Sequence, residues 1–199
     1  MNRFDNPWVI WSLLALPAVW LGWPLIVYGA IPPGFLVHTG EWGARLMILT
    51  LAISPLKALL PKSRIVQWFL RRRRWFGVAS FAYAALHTVF YVWDAQLLSW
   101  ILFVATRFYA WNGWLAAGLM LILALSSNRF SQRRLGQVAW KWLQRLTYVA
   151  AISLAIHWAL LARMAPDVVA QIGALAGLEL VRISLWLKAR VQMVRHSRA

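Results

Sequence analysis

Cysteine is absent from this 199-residue chain. That removes disulfide bridges, thiolate metal sites and iron–sulfur clusters from consideration. Acidic residues are scarce as well: five Asp and Glu stand against 21 Lys and Arg, for a formal charge of +16. Charged residues make up only 13% of the chain and hydrophobic ones 62%, where a soluble domain has about a quarter charged. With a mean hydropathy of +0.61, the chain is too apolar for a water-soluble domain. There is no internal repeat, no low-complexity tract and no nucleotide-binding domain, so direct oxidation of NAD(P)H on this chain is not expected. The first apolar run is full length and lacks a small-residue cleavage site, so it is expected to stay as a membrane anchor.

What the chain does have is a series of apolar runs near the roughly 20 residues a membrane-crossing helix needs. They predict one all-α domain over 1–199, an integral membrane bundle of six transmembrane helices. The expected spans are about 8–30, 43–60, 75–93, 109–125, 138–162 and 168–187. Between the first two, "IPPGFLVHTGEWG" reads as a polar loop. "DAQLLSWILFVATRFYAWNG" reads as a loop carrying an interfacial helical segment.

The basic residues sort by loop. Arg3, Lys57, Lys62, Arg64, Arg71 to Arg74, Arg129, Arg133, Arg134, Lys141, Arg145, Lys188, Arg190, Arg195 and Arg198 gather on one side. Only Arg45, Arg107 and Arg163 fall on the other, beside Glu41, Asp94 and Asp167. The rule that positive loops stay inside puts both termini in the cytoplasm of a bacterial cell, in a multi-pass inner-membrane protein. It also accounts for the net charge without nucleic acid. The basic face suits anionic membrane lipid and equally the docking of a soluble electron donor. Trp8, Trp42, Trp75, Trp93, Trp111 and Trp140 fall near span ends, as aromatic belts do.

Two of the four histidines lie inside spans, where an ionisable side chain is costly and rare. His87 is seven residues from the outer end of the third span and His157 six from that of the fifth. At 1.5 Å per residue these are depths of about 10 and 9 Å. The two helices run parallel, so the imidazoles share one level. Toward the cytoplasm, His87 is followed by Ala84, Ser80 and Gly77, and His157 by Ser153, Ala150 and Thr147. Such small-residue faces serve close helix packing or leave room for a flat macrocycle. The pair is compatible with axial ligation of a haem b. It is also compatible with a zinc site if His38 joins, with a proton relay using Glu179, the one mid-span carboxylate, or with plain helix-packing contacts.

Several blocks narrow the choice. "TGEWGARLMILTLAISPLK", "RRRRWFGVASFAYAALH", "RFYAWNGW", "SSNRFSQRRLG" and "WLQRLTYVAAISLAIHW" occur in this order. Together they resemble the haem-binding membrane subunit of bacterial periplasmic methionine-sulfoxide reductase systems. This is the MsrQ or YedZ type, within the ferric-reductase-like transmembrane group. The resemblance covers the second to fifth spans, while the first and sixth match in character only. It implies a six-helix haem protein without a substrate site of its own. Electrons would pass from a quinone or a cytoplasmic flavin reductase to a periplasmic molybdopterin-type enzyme that repairs methionine sulfoxide. The family's histidines fall on His87 and His157. Alternatives are a ferric-reductase-like subunit with another acceptor, and a non-redox membrane subunit or transporter.

One position departs from the pattern. The family reads "LHRLTYV" where this chain reads "LQRLTYV", so Gln144 replaces a histidine associated with a second, inner haem. One haem b is therefore expected, with FMN or a quinone as candidate occupants of the inner site. Arg45 and Arg107 are candidate partners for haem propionates or else interfacial anchors. Arg74 and Arg145 are ordinary cytoplasmic-end arginines or a seat for a flavin phosphate. Glu179 and Arg182, three apart on one helix face, are expected to neutralise each other inside the bilayer or to handle protons or quinone.

Overall fold

The computed structural model describes residues 6–95 and 106–196. Of the loop expected over 94–113 to hold an interfacial helix, residues 96–105 lie outside them, and its two ends belong to helices. The described residues form seven helices and no strand. They are α1 Pro7–Tyr28, α2 Phe35–Leu59, α3 Arg64–Ala95, α4 Phe108–Ser126, α5 Arg129–Gln144, α6 Leu146–Leu161 and α7 Pro166–His196. Five of them, α1, α2, α3, α4 and α7, are long and apolar enough to cross a membrane. At 32 and 31 residues, α3 and α7 extend about 48 and 46 Å. Both exceed the roughly 30 Å hydrocarbon core, so each projects beyond it.

Local chemistry sets the ends of α1. The Asn6 side chain accepts the Trp8 amide at 3.0 Å and Pro7 occupies the first turn, where its missing N–H costs nothing. Gly29 closes the helix at φ 66°, with its amide bonded to Leu25 O. Pro17 interrupts the ladder from inside. Just beyond it the Ala18 amide donates to the Tyr83 hydroxyl at 3.0 Å, and that hydroxyl donates to Leu14 O at 2.8 Å. A phenol from α3 thus bridges the i, i+4 pair that the proline has pried apart. Tyr83→Phe is expected to strand both backbone groups in an apolar setting, at about 1–3 kcal/mol. The thermal midpoint of the detergent-purified protein reads this out; an unchanged midpoint means α1 closes the gap by itself.

The most buried helix is α2, with eleven buried residues. It packs most extensively on α3 and also meets α7, α6 and α1. The α2–α3 crossing is close because Gly43 lies there: an added Cβ would sit 3.4 Å from both Ala84 N and Ser80 O. The Ser80 hydroxyl donates to Gly43 O at 2.7 Å. Met47 and Leu51 of α2, Met120 and Leu123 of α4 and Ala150 of α6 make the central cluster. The outer surface of α1 is apolar, with Trp8, Trp20, Ile26 and Tyr28 all largely exposed, as suits a helix facing lipid.

Two expected boundaries move. The loop read over "IPPGFLVHTGEWG" ends at Gly34, which turns the chain at φ 79°. From Phe35 onward the chain is helical, so α2 begins eight residues before the expected span. The Thr39 hydroxyl, fully buried, donates to Phe35 O and Leu36 O and ties down the new first turn. The glycines that looked like loop punctuation, Gly40 and Gly43, are packing positions inside a helix. The span expected over 138–162 is carried by the end of α5 and by α6. They join at Arg145, whose backbone stays helical at φ −70° and ψ −19°. Its amide bonds to Trp142 O at 3.0 Å, a tightened three-residue turn. The first part of α5 is set apart by Gly136, at φ 74° and ψ 159°, where the helix kinks.

Candidate functional site

His87 on α3 and His157 on α6 come together: their ring centroids are 6.4 Å apart and the ring planes meet at 81°. Both rings are half-buried. Each Nδ1 reaches a backbone carbonyl in the first turn of a neighbouring helix. For His87 it is Leu36 O of α2 at 2.8 Å, and for His157 it is Tyr109 O of α4 at 2.7 Å. A carbonyl only accepts, so both rings are fixed as the tautomer with hydrogen on Nδ1 and a bare lone pair on Nε2. A hydrogen bond of this kind orients an imidazole and makes its free nitrogen a better ligand.

The same device is built twice. Four residues after each accepting carbonyl stands a glycine, Gly40 after Leu36 and Gly113 after Tyr109. An added Cβ at Gly40 would lie 3.0 Å from His87 Nδ1, and one at Gly113 would lie 2.7 Å from His157 Nδ1. Only glycine lets the imidazole come down onto the helix surface and reach the carbonyl's second lone pair. Neither carbonyls nor glycines were singled out in the sequence. Their one signal was that each glycine lies inside a family-like block.

The small-residue faces below the histidines prove to be helix contacts. Ser80 is fully buried against Gly43, Gly77 faces Thr50, Ala150 is fully buried in the central cluster and Thr147 lies 3.9 Å from Met47 Sδ. These contacts are close helix packing.

Arg45 and Arg107 lie toward the same end. Arg45 pairs with Glu41 at 3.2 Å, and Glu41 also meets His38 Nδ1 at 3.4 Å, so three charged or ionisable side chains form one strip on α2. Arg107 is the residue before α4, and its carbonyl receives the amides of Ala110 and Trp111. Among the described residues no three of His, Cys, Asp and Glu gather into a metal cluster. His38 is held at Glu41, so a zinc site using it with His87 and His157 is not formed.

The opposite end is polar in a different way. Gln144 donates to the Ser126 hydroxyl at 3.0 Å, and Trp140 Nε1 donates to Ser126 O at 2.9 Å. Gln144 thereby laces the end of α5 to the end of α4. Arg73 donates to Ser54 at 2.8 Å, and Arg182 pairs with Glu179 at 2.7 Å and sits over the Tyr148 ring. The Arg145 guanidinium stacks on Trp142, 3.9 Å from the ring centroid.

Two bare imidazole nitrogens on separate helices can hold one metal ion from opposite sides. The chain's relatives bear on which. Residues 39–155 match the family described as "Ferric reductase like transmembrane component", a stretch that includes Gly40, His87 and Gly113 and ends just before His157. Three curated relatives carry the name "Protein-methionine-sulfoxide reductase heme-binding subunit MsrQ". The protein of Rhizobium meliloti (strain 1021) is 38% identical over 80% of this chain and 74% of its own length. That of Caulobacter vibrioides is 32% identical over 78% and 75%. That of Ralstonia nicotianae is 36% identical over 66% of this chain and 60% of its own length, so the matched part falls short of two thirds of that relative. No solved structure matches the chain.

Proposed function

This chain belongs to the ferric reductase like transmembrane component family, in its MsrQ type, and we propose that it is the haem-binding membrane subunit of a methionine-sulfoxide reductase system. The observation that carries this is the pair of imidazoles with fixed tautomers and free Nε2 atoms, 6.4 Å apart between centroids. A metal–imidazole bond is about 2.0–2.1 Å and the bonding nitrogen lies about 1.1 Å from its ring centroid, so two imidazoles on one ion have centroids about 6.3 Å apart. The donor set therefore fits a haem b, which His87 and His157 would hold. Bound there, the haem would supply a one-electron iron couple.

The chain's own residues do the rest. His87 and His157 hold the group, and Leu36 O and Tyr109 O fix its ligands. Arg45 and Arg107, toward the same end, would pair with its propionates. The apolar helices keep water away. The distribution of basic loops supports a topology with both termini on the cytoplasmic side of a bacterial inner membrane and the histidines in the outer half. The acceptor is then a periplasmic molybdopterin-type reductase.

One haem is the proposed content. Gln144 lies thirteen residues before His157, about 20 Å deeper along the helix, and its amide is committed to Ser126. The inner end is left to a quinone or FMN as the entry point for electrons. Purification in detergent, with optical spectra before and after dithionite and a haem-to-protein ratio, tests the reading. The expected result is a low-spin haem b spectrum at one haem per chain. A colourless protein removes the proposal, and a ratio of two removes the single-haem part of it.

A further inference from the structure

The rings of His87 and His157 stand at 81° to each other, and each rests on a helix at a glycine. We infer that Gly40 and Gly113 are positioning residues that set the planes of the two axial imidazoles nearly perpendicular, and so select the electronic state of the iron between them. This rests on the haem reading above.

Each ring is held at three places. Its Cβ is fixed by its own helix, its Nδ1 by a carbonyl of another helix, and its Nδ1, Cε1 and Cγ atoms lie close over the glycine. The first two leave the ring free to tilt about the line joining them. The third limits that freedom, because a Cβ at the glycine would press on those ring atoms and turn the ring. The two supports come from α2 and α4, two separate helices, so each plane is set independently of the other, and the planes stand at 81°. Each of the three restraints is made by this chain's own residues and is present twice.

The angle matters because an imidazole donates π density through the orbital normal to its plane. Two parallel rings load the same iron d orbital and separate it from its partner. Two perpendicular rings load one orbital each and leave the pair nearly degenerate. A low-spin ferric ion then gives a single broad, strongly anisotropic paramagnetic resonance feature at high g. With parallel rings it gives three resolved features. Outer partners of a metal's ligands tune the metal in this way, and ligand geometry is one of the protein's levers on haem potential.

The two glycines are graded. A Cβ at Gly113 would lie 2.7 Å from both His157 Nδ1 and Cε1, and one at Gly40 would lie 3.0 and 3.1 Å from the same atoms of His87. The atom in the way is in each case a side-chain ring, so it yields by turning and the helices stay in place. An added Cβ at Gly173 on α7 meets nothing within 4 Å.

The test is low-temperature electron paramagnetic resonance of the oxidised full-length protein in detergent. The wild type and Gly173→Ala are expected to show the single high-g feature. Gly113→Ala is expected to keep its haem and move to three resolved features, with Gly40→Ala shifting in the same direction by less. A coloured wild type with three resolved features overturns the inference and leaves the haem reading standing; a colourless wild type removes the haem reading itself. Wild-type spectra from both glycine variants also overturn it. Should Gly113→Ala lose its haem, Gly40→Ala decides: an unshifted spectrum there overturns the assignment.

Discussion

His157→Ala is expected to purify without the haem absorbance of the parent protein, and His87→Ala to do the same, each with at least about a tenfold loss of bound haem. The tenfold scale follows from linkage: about 1.4 kcal/mol of lost binding free energy already suffices, and a metal–ligand bond contributes more than that. No other histidine stands ready to substitute. His38 is held at Glu41 on α2, and His196 lies beyond the apolar part of α7. The two carbonyls behind the rings cannot take over, because they face the positions the rings vacate. Both rings are only half-buried, so the variants are expected to remain folded; size-exclusion elution at the wild-type volume checks this. Imidazole added to the His157→Ala protein together with haem is expected to restore part of the colour, since the free base supplies the missing nitrogen. Undiminished haem in either variant would falsify the ligand assignment.

Arg182→Met is expected to lower stability by about 3–5 kcal/mol, the cost typical of leaving one member of an ion pair stranded in an apolar setting; the pair is half-buried, on a helix apolar enough to face lipid. Arg182 Nη2 is 2.7 Å from Glu179 Oε2. The second carboxylate oxygen, Glu179 Oε1, is buried and has no hydrogen-bond partner. Remove the arginine, and a charged carboxylate faces an apolar surround with neither oxygen paired. Arg73 of α3 lies close enough to interact with both members, which puts the expected loss toward the lower end of that range. The double variant Glu179→Gln with Arg182→Met is expected to recover most of the loss, because it removes the stranded charge. Thermal unfolding in detergent reads both. A single variant as stable as the double one would mean that the pair does not sit in an apolar setting. The outcome also separates mutual neutralisation from proton handling: neutralisation requires only that both charges go together.

Much of this molecule is written in runs and spacings. Composition and apolar run length point to helices that cross a membrane, and the structure supplies five that are long enough, with α6 and the end of α5 as a sixth segment. The depth of His87 and His157 is local arithmetic along two parallel helices, and the rings do meet. The small residues beneath them were legible as a pattern, and the structure packs them against α2. Gln144 stood out as a departure, yet its bond to Ser126, eighteen residues back, had no local mark.

Burial in lipid is decided residue by residue, because a side chain's transfer cost depends on its own chemistry. That is why the chain alone points to helices apolar enough to cross a membrane. A hydrogen-bond partner is decided by which helix lies alongside, and Leu36 is 51 residues from His87 while Tyr109 is 48 from His157. Only the packed bundle chose those carbonyls, brought Gly40 and Gly113 against the two rings, and set the imidazoles across each other. The reason is that any backbone carbonyl can accept an N–H, and only proximity selects one.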